Sequence, residues 1–410
     1  MIYHDQVMAR QLFKYVDLYS TYLGKFVDFR YTVYTMLYKR AYDLKHFLKP
    51  QKALIIYGPR RVGKTTLLQS FLKTSSLKYR LDSGDNIKVQ DVLGSQDFDR
   101  IKEYAEGYDL IALDEAQQIR GIGMGLKIII DQIPGIRVIA TGSSSFDLAG
   151  ALGEPLTGRK TTLVLYPLSQ IELAKTLNRH ELRERLEDYL VFGAYPDVIT
   201  ALSRKEKIAY LEEIVNSYLL NDVLALDRIK GARILLDLLK LIAFQVGNEV
   251  SLTEIATQIK LDVKTVGRYL DLFEKAFVIR RVGGFSRNLR KELSSKAKYY
   301  FLDNGIRNAI ISQFNPLNLR DDIGALWENF MVIERLKKCT YKGIPGADYF
   351  WRTYDGQEID LVEEREGSLF AYEFKWSETT RCKQPKDWVL AYPKAEYHVI
   401  DRKKYLDFIL

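Results

Sequence analysis

The stretch ALIIYGPRRVGKTTLL, Ala53 to Leu68, decides how the rest of this 410-residue chain is read. Five apolar residues, too short a run for a helix, lead into a glycine-rich bend, and a helix-forming run follows. Gly58, Gly63, Lys64 and Thr65 fit the spacing GxxxxGK[ST] without a gap. Glycine lets such a bend curl so that its N–H groups point inward at phosphate oxygens. A helix starting at about Lys64 turns its positive end to the same anion. Lys64 is expected to reach the β- and γ-phosphates of ATP and Thr65 to hold Mg²⁺. The expected nucleotide contacts are Gly58, Pro59, Arg60, Arg61, Val62, Gly63, Lys64, Thr65 and Thr66.

Downstream, short apolar runs alternate with helical stretches: KYRLDS (78–83), DLIALD (109–114), IRVIATG (136–142) and TTLVLYPL (161–168). Alternation of this kind means βαβ units and a parallel sheet. Asp114 ends an apolar strand, as an acid that supports Mg²⁺ should, and Glu115 is placed to polarise a water for attack on the γ-phosphate. The next strand ends at Thr141, Ser143 and Ser144, hydroxyls able to sense the γ-phosphate; which one does so stays open. After the GEPLTG loop, Arg159 is a candidate for stabilising transition-state charge, from the same subunit or from a neighbour in a homo-oligomer.

The set YGPRRVGKTTLL, LIALDEAQ, VIATGSSS, LTGR and YPLSQIE resembles the AAA-type ATPases that carry a C-terminal domain of unknown function. FGAYPDVI, YLLNDVL and RYLDLFEKAFVI extend the resemblance, which covers about Leu37 to Trp376. It implies an additional-strand core, with a strand between the glycine-bend strand and the one ending at Asp114. The expected fold class is α/β: a P-loop NTPase core over 36–168, a helical lid over 169–230, a winged helix over 231–305 and a restriction-endonuclease-like domain over 306–410. Residues 1–35 form an extension of unassigned role, with eight of the 27 tyrosines in the first 42 residues. MLYKRAYDLKHFL, from Met36, reads as a short amphipathic helix.

Composition sets the outer limits. Apolar residues make up 47% and charged residues 28%, with a net charge of +8, which is ordinary for a globular protein. Two cysteines, Cys339 and Cys382, form no CxxC pair, so a reducing, cytoplasmic compartment fits. No signal peptide is visible, and no apolar run is long enough to span a bilayer, so no membrane partner is expected.

Charge is uneven: residues 231–300 hold 13 Lys/Arg against 7 Asp/Glu, a sign of an anionic partner, nucleic acid first. Ser251 and Glu254 have capping-box spacing, and two amphipathic helices meet at a turn through Leu261 and Asp262. RRVGGFSRNLRK then reads as strand, Gly-Gly turn and basic strand. In such modules the second helix, here with Lys264 and Arg268, enters a groove; Arg280, Arg281, Arg287, Arg290 and Lys291 would meet the backbone. A purely structural module is the competing reading.

Near the end, EIDLVEEREGSLFAYEFKW (358–376) reads as a hairpin turning at Glu366–Gly367. In that register Asp360 faces Glu373 and Glu358 faces Lys375, with the opposite face apolar and buried. Two carboxylates about 5 Å apart repel; a divalent cation would relieve them, and Lys375 could activate a water. The arrangement resembles the PD-(D/E)xK nuclease superfamily, with Asp360, Glu373 and Lys375 as its core and Glu328 as the helix acid; Ile359 replaces the proline. Expected metal ligands are thus Thr65 and Asp114 at one site and Glu328, Asp360 and Glu373 at the other. Expected catalytic groups are Lys64, Glu115 and Arg159, and Asp360, Glu373 and Lys375. ATP turnover acting on nucleic acid is the leading reading; an ATP-dependent regulatory or signalling switch without cleavage is the alternative.

Overall fold

The computed structural model describes residues 38–143, 156–219, 232–287, 297–379 and 382–410. The chain divides into two units, Met1–Lys39 and Arg40–Leu410. Of the first, only Tyr38 and Lys39 are described; every described strand and helix belongs to the second. The expected helix from Met36 is reduced there to Leu44–Phe47, capped by Asp43.

Five short strands, β1 (Ala53–Tyr57), β2 (Tyr79–Ser83), β3 (Leu110–Asp114), β4 (Arg137–Gly142) and β5 (Lys160–Val164), form a parallel sheet in the order β2-β3-β4-β1-β5. Strand β4 lies between β1 and β3, as the resemblance implied. The central strands read as continuous apolar runs because both faces are covered. Ile55, Ile111 and Val138 have no exposed surface, and burial of each stabilises by roughly 1.5–3 kcal/mol. The strand expected over 161–168 stops at Val164. Leu165 N still donates to Tyr57 O at 2.7 Å, but Leu168 N donates to Ala194 O at 2.9 Å, drawn off to the helical segment.

A second sheet of seven strands has the order β12-β11-β10-β9-β7-β8-β6. Its members are β6 (Glu249–Val250), β7 (Ile279–Gly284), β8 (Ala297–Phe301), β9 (Ala347–Arg352), β10 (Glu358–Arg365), β11 (Ser368–Phe374) and β12 (Glu396–Ile400). Helices Leu252–Ile259 and Val263–Lys275 precede β7 and match the expected helix-turn-helix order. Lys260, in the left-handed region at φ 56°, ends the first; Asp262 accepts from Thr265 N at 2.8 Å and starts the second. Ser251 accepts from Glu254 N, the one half of the capping box formed among the described residues. The expected Gly-Gly turn is not a turn: Gly283 and Gly284 continue β7 and pair in parallel with Tyr349 and Phe350 of β9. The sheet therefore runs across residues 305 and 306, where a domain boundary was expected. Arg290 and Lys291 lie outside the described residues, as do Ser144 and the start of the loop before Arg159.

The hairpin has the expected register, Arg365↔Ser368 through Leu361↔Tyr372. Glu366 (φ 50°) and Gly367 (φ 79°) both take positive φ, as a two-residue turn requires. The expectation of one covered face is corrected. Val362, Leu369 and Ala371 pack with Trp351 and Trp388, while on the other side Tyr372 and Phe374 meet the ring of Phe408. Both faces are covered because Trp388 of the helix Lys386–Ala391 packs on one and Phe408 of the helix Tyr405–Ile409 on the other.

Candidate functional site

The bend after β1 has the backbone that its sequence demands. Gly58 sits at φ 150° and Gly63 at φ 90°. A Cβ on Gly58 would lie 2.0 Å from Leu165 O, so no larger residue fits between the bend and the chain leaving β5. Gly63 is the N-cap of the helix Lys64–Thr74 and offers no capping side chain, which leaves the first-turn N–H groups to a ligand. Val62 and Lys64 are buried, and the Lys64 ammonium donates to Gly58 O and Pro59 O at 2.9 Å each.

Asp114 joins three elements at the edge of this bend. Its Oδ2 accepts from Thr65 Oγ1 at 2.7 Å, and its Oδ1 accepts from Thr141 Oγ1. Thr141 Oγ1 in turn accepts from Glu115 N at 3.3 Å. Of the hydroxyls left open by the sequence, Thr141 bonds to Asp114 and Ser143 is buried just after β4, while Ser144 lies outside the described residues. A hydroxyl and a carboxylate within bonding reach are hard oxygen donors, and that donor set fits Mg²⁺. Glu115 sits at φ 48°, turning the chain into the single turn Ala116–Gln118, and Gln117 Nε2 donates to its Oε2. Arg159 is paired with Asp131 Oδ1, at the far end of the helix Ile122–Gln132. Arg61 pairs with Glu213 at 2.6 Å. A cavity beside the bend is lined by Pro59, Arg60, Tyr195, Phe277, Leu302 and Asp303.

Two groups here were not singled out from the sequence. Arg40, buried, donates to Val62 O (3.3 Å) and Tyr166 O (2.6 Å) and pairs through Nε with Glu172 at 3.0 Å. It thereby fastens the bend to the segment that follows β5. Asp303 accepts from Ala194 N, Gly305 N and Ile306 N, and burial pushes its carboxyl up to about 6 against the pull of Lys337 and those N–H groups. Gly193 leaves room for it: a Cβ there would lie 1.8 Å from Asp303 Oδ1. A lone acid at a helix start and an arginine ahead of the first strand carry no motif, so only contacts reveal them.

The second group of expected residues gathers around the start of β10. The ladder of β10 with β9 shifts register between Ile359 and Val362, a bulge of the kind that re-aims a side chain. Asp360 is buried and its Oδ2 accepts from Phe374 N at 2.8 Å. Glu373 is buried; Oε1 pairs with Lys375 at 2.6 Å, and Oε2 has no partner among the described residues. Glu328, on the long helix Ile323–Lys342, accepts from Tyr300 Oη at 2.7 Å and Lys298 Nζ at 3.1 Å. Burial, and then the Asp360 carboxylate, push Glu328 and Glu373 up to about 7. Burial also raises Asp360, while Lys298 opposes it. Burial works against the charge on Lys298 and on Lys375, yet Glu328 and Glu373 respectively hold both ammonium groups above the ordinary lysine range. Each acid thus has its own protein partner. Among the described residues no three or more His, Cys, Asp or Glu side chains are placed to hold one metal ion. No helix among them is long and apolar enough to cross a membrane.

The exposed basic residues are divided. Lys264, Arg268, Arg281 and Arg287 are exposed. Arg280 lies 3.7 Å from Glu274, and the Arg287 guanidinium stands 5.8 Å from the ring centre of Tyr392.

Comparison with known proteins agrees with the first site. Residues 50–174 match the family model described as an AAA domain, while 183–317 and 323–407 match two families described as domains of unknown function. An uncharacterised protein of Mycobacterium tuberculosis is 26% identical over 339 residues, 82% of this chain and 73% of its own length. One of Haemophilus influenzae is 26% identical over 335 residues, covering 76% of this chain and 79% of its own. Among solved structures, the replication initiator DnaA bound to AMPPCP and single-stranded DNA is 16% identical, covering 62% of this chain and 88% of that one, at a TM-score of 0.29. RuvB of Thermotoga maritima is 20% identical, covering 56% and 82%, also at 0.29. No equivalence of fold follows from scores this low. Sheet order, bend geometry and family match together support an AAA-type ATPase core in this part of the chain.

Proposed function

We propose that this protein binds and hydrolyses ATP and uses the cycle to control a nucleic-acid-binding C-terminal half. The observation that carries the reading is Asp114, bonded at once to Thr65 and Thr141 beside a bend that only glycine can make. Gly58 to Thr66 would receive the phosphates, with Lys64 supplying positive charge. Thr65 and Asp114 would hold Mg²⁺, which when bound neutralises phosphate charge. Glu115 would polarise the attacking water, Thr141 report the γ-phosphate, and Arg159, released from Asp131, reach transition-state charge. The test is ATP binding and turnover in wild type, Lys64→Ala and Glu115→Gln. Lys64→Ala should lose affinity; Glu115→Gln should bind ATP and not turn it over. A wild type that binds no ATP with Mg²⁺ present sinks the reading.

For the C-terminal half, a winged helix presenting Lys264, Arg268, Arg281 and Arg287 to phosphates is supported by their exposure. Replacing Arg281 and Arg287 by alanine should then flatten the dependence of DNA affinity on salt. Phosphodiester cleavage by Asp360, Glu373 and Lys375, with Glu328, is a further reading, favoured by Glu373 Oε2, which has no partner among the described residues; a metal there would have to draw these acids from the partners they hold. The competing reading, a regulatory switch without cleavage, is favoured by Lys298, which already neutralises Glu328. DNA incubated with Mn²⁺ and either wild type or Asp360→Ala separates the two. Cleavage that is lost in the variant supports the nuclease, and no cleavage by wild type supports the switch.

A further inference from the structure

We infer that Lys298 decides the chemistry of the acid cluster at β10 and β11: its ammonium is the resident cation there, in the place a divalent ion would need, and it locks β8 to the long helix Ile323–Lys342. This rests on the reading of the C-terminal half as a switch without cleavage and gives that reading a single determinant.

Strand β8 is enclosed, with all five residues buried. Lys298 and Tyr300 stand two apart and so share one side of the strand. Both donate to Glu328 Oε1, at 3.1 and 2.7 Å. The other oxygen, Glu328 Oε2, lies against Gly247, where a Cβ would come within 2.9 Å. The next residue of the helix repeats the attachment: Asn329 accepts from Phe301 N at 2.7 Å and donates to Phe301 O at 2.9 Å. Lys298 is only 2% exposed, so water screens its charge weakly and fixed carboxylates must balance it. Glu328 is one of them. The Asp360 carboxylate acts on both partners, attracting Lys298 and repelling Glu328. The ammonium therefore relieves the same carboxylate repulsion that the sequence had assigned to a metal.

A divalent ion does not fit the cluster as folded. Mg²⁺ holds its oxygens at about 2.0–2.1 Å and accepts little distortion. An ion on Glu328 Oε1 would share that oxygen with the Lys298 ammonium, and two cations at such range repel strongly. Glu373 Oε1 is taken by Lys375 at 2.6 Å, and Asp360 Oδ2 by Phe374 N at 2.8 Å. Glu373 Oε2 is a single enclosed oxygen, and one oxygen is not a site. Removing the ammonium reverses the account. Glu328 and Asp360 would then repel with nothing between them, which is the condition a divalent cation relieves.

The experiment uses the full chain without nucleotide, at about pH 8, well above the ordinary carboxylate range. Urea unfolding compares wild type, Lys298→Met, and Lys298→Met combined with Glu328→Gln. Lys298→Met should raise the unfolding constant about 100-fold or more, the effect of one orphaned buried charge. Adding Glu328→Gln removes the orphan and should return at least about tenfold. Mn²⁺ titration, with the free ion read by electron paramagnetic resonance, compares wild type, Asp360→Asn and Lys298→Ser. Any Mn²⁺ bound by wild type should be independent of Asp360, and Lys298→Ser should gain a site that wild type lacks. A wild-type Mn²⁺ site lost in Asp360→Asn overturns the inference. So does a double variant no more stable than Lys298→Met, or a folded Lys298→Ser that binds no more Mn²⁺ than wild type. Should Lys298→Ser not fold, the other two comparisons decide. DNA cleavage by wild type in Mn²⁺ that is lost in Asp360→Ala fells the switch reading and this inference with it. No cleavage, together with a double variant no more stable than the single one, fells the inference alone.

Discussion

Replacing Arg40 by methionine tests whether the glycine bend is held from outside by one buried ion pair. Arg40 and Glu172 have side chains only 5% and 0% exposed. Glu172 also accepts from Ala41 N, Ser169 N and Ser169 Oγ, so its carboxylate is fully engaged on one side and depends on Arg40 for charge on the other. Removing one partner of a buried pair leaves an uncompensated charge and costs about 3–5 kcal/mol. Adding Glu172→Gln removes that charge but turns an amide donor toward one of the backbone or hydroxyl donors, a residual cost of about 1–3 kcal/mol. The double variant should therefore recover about 2 kcal/mol, the difference of those two ranges. Urea unfolding followed by the fluorescence of buried Trp327 and Trp388 reads both numbers. Val62 O loses its donor too, so affinity for an ATP analogue should fall about tenfold, equivalent to about 1.4 kcal/mol. A single variant within about 1 kcal/mol of wild type, or a double variant no more stable than the single, refutes the reasoning.

Three further outcomes are expected. Gly58→Ala should abolish ATP binding, measured by titration calorimetry, because its Cβ would meet Leu165 O at 2.0 Å on a backbone at φ 150°. Asp131→Ala frees Arg159 from its partner and should raise ATP turnover several-fold at unchanged affinity; equal or lower turnover argues against a transition-state role for Arg159. Asp303, pushed up to about 6 by burial from 3.8, binds a proton more tightly folded than unfolded. Its contribution to stability is therefore present at low pH and is lost as pH rises through about 6. The urea-derived stability of wild type minus that of Asp303→Asn should grow by about 1.4 kcal/mol from pH 7 to pH 5, and a difference that is flat or falls contradicts the assigned burial.

The glycine bend, Asp114 and Glu115 were legible because each rests on local chemistry. Positive φ, strand length and hydroxyl spacing are properties of a dozen neighbouring residues, and β1, β3 and β4 follow from apolar runs of fixed length. The hairpin register was legible for the same reason: Glu366 and Gly367 set the turn and the period of two did the rest. Reading failed where a distant partner intervened. Gly283 and Gly284 look like a turn until β9, more than sixty positions on, pairs with them. The carboxylate side of the hairpin looks solvated until Trp388 covers it.

The bend proposed to cradle phosphate is written in consecutive residues, as glycines at positive φ followed by a helix start. What holds that cradle, and what the acids of β10 and β11 face, came only with the folded chain. Arg40 reaches Tyr166 across 126 positions, and Lys298 reaches Glu328 across 30. Charge pairing in a buried interior depends on distance in space, which the order of residues along a chain does not encode.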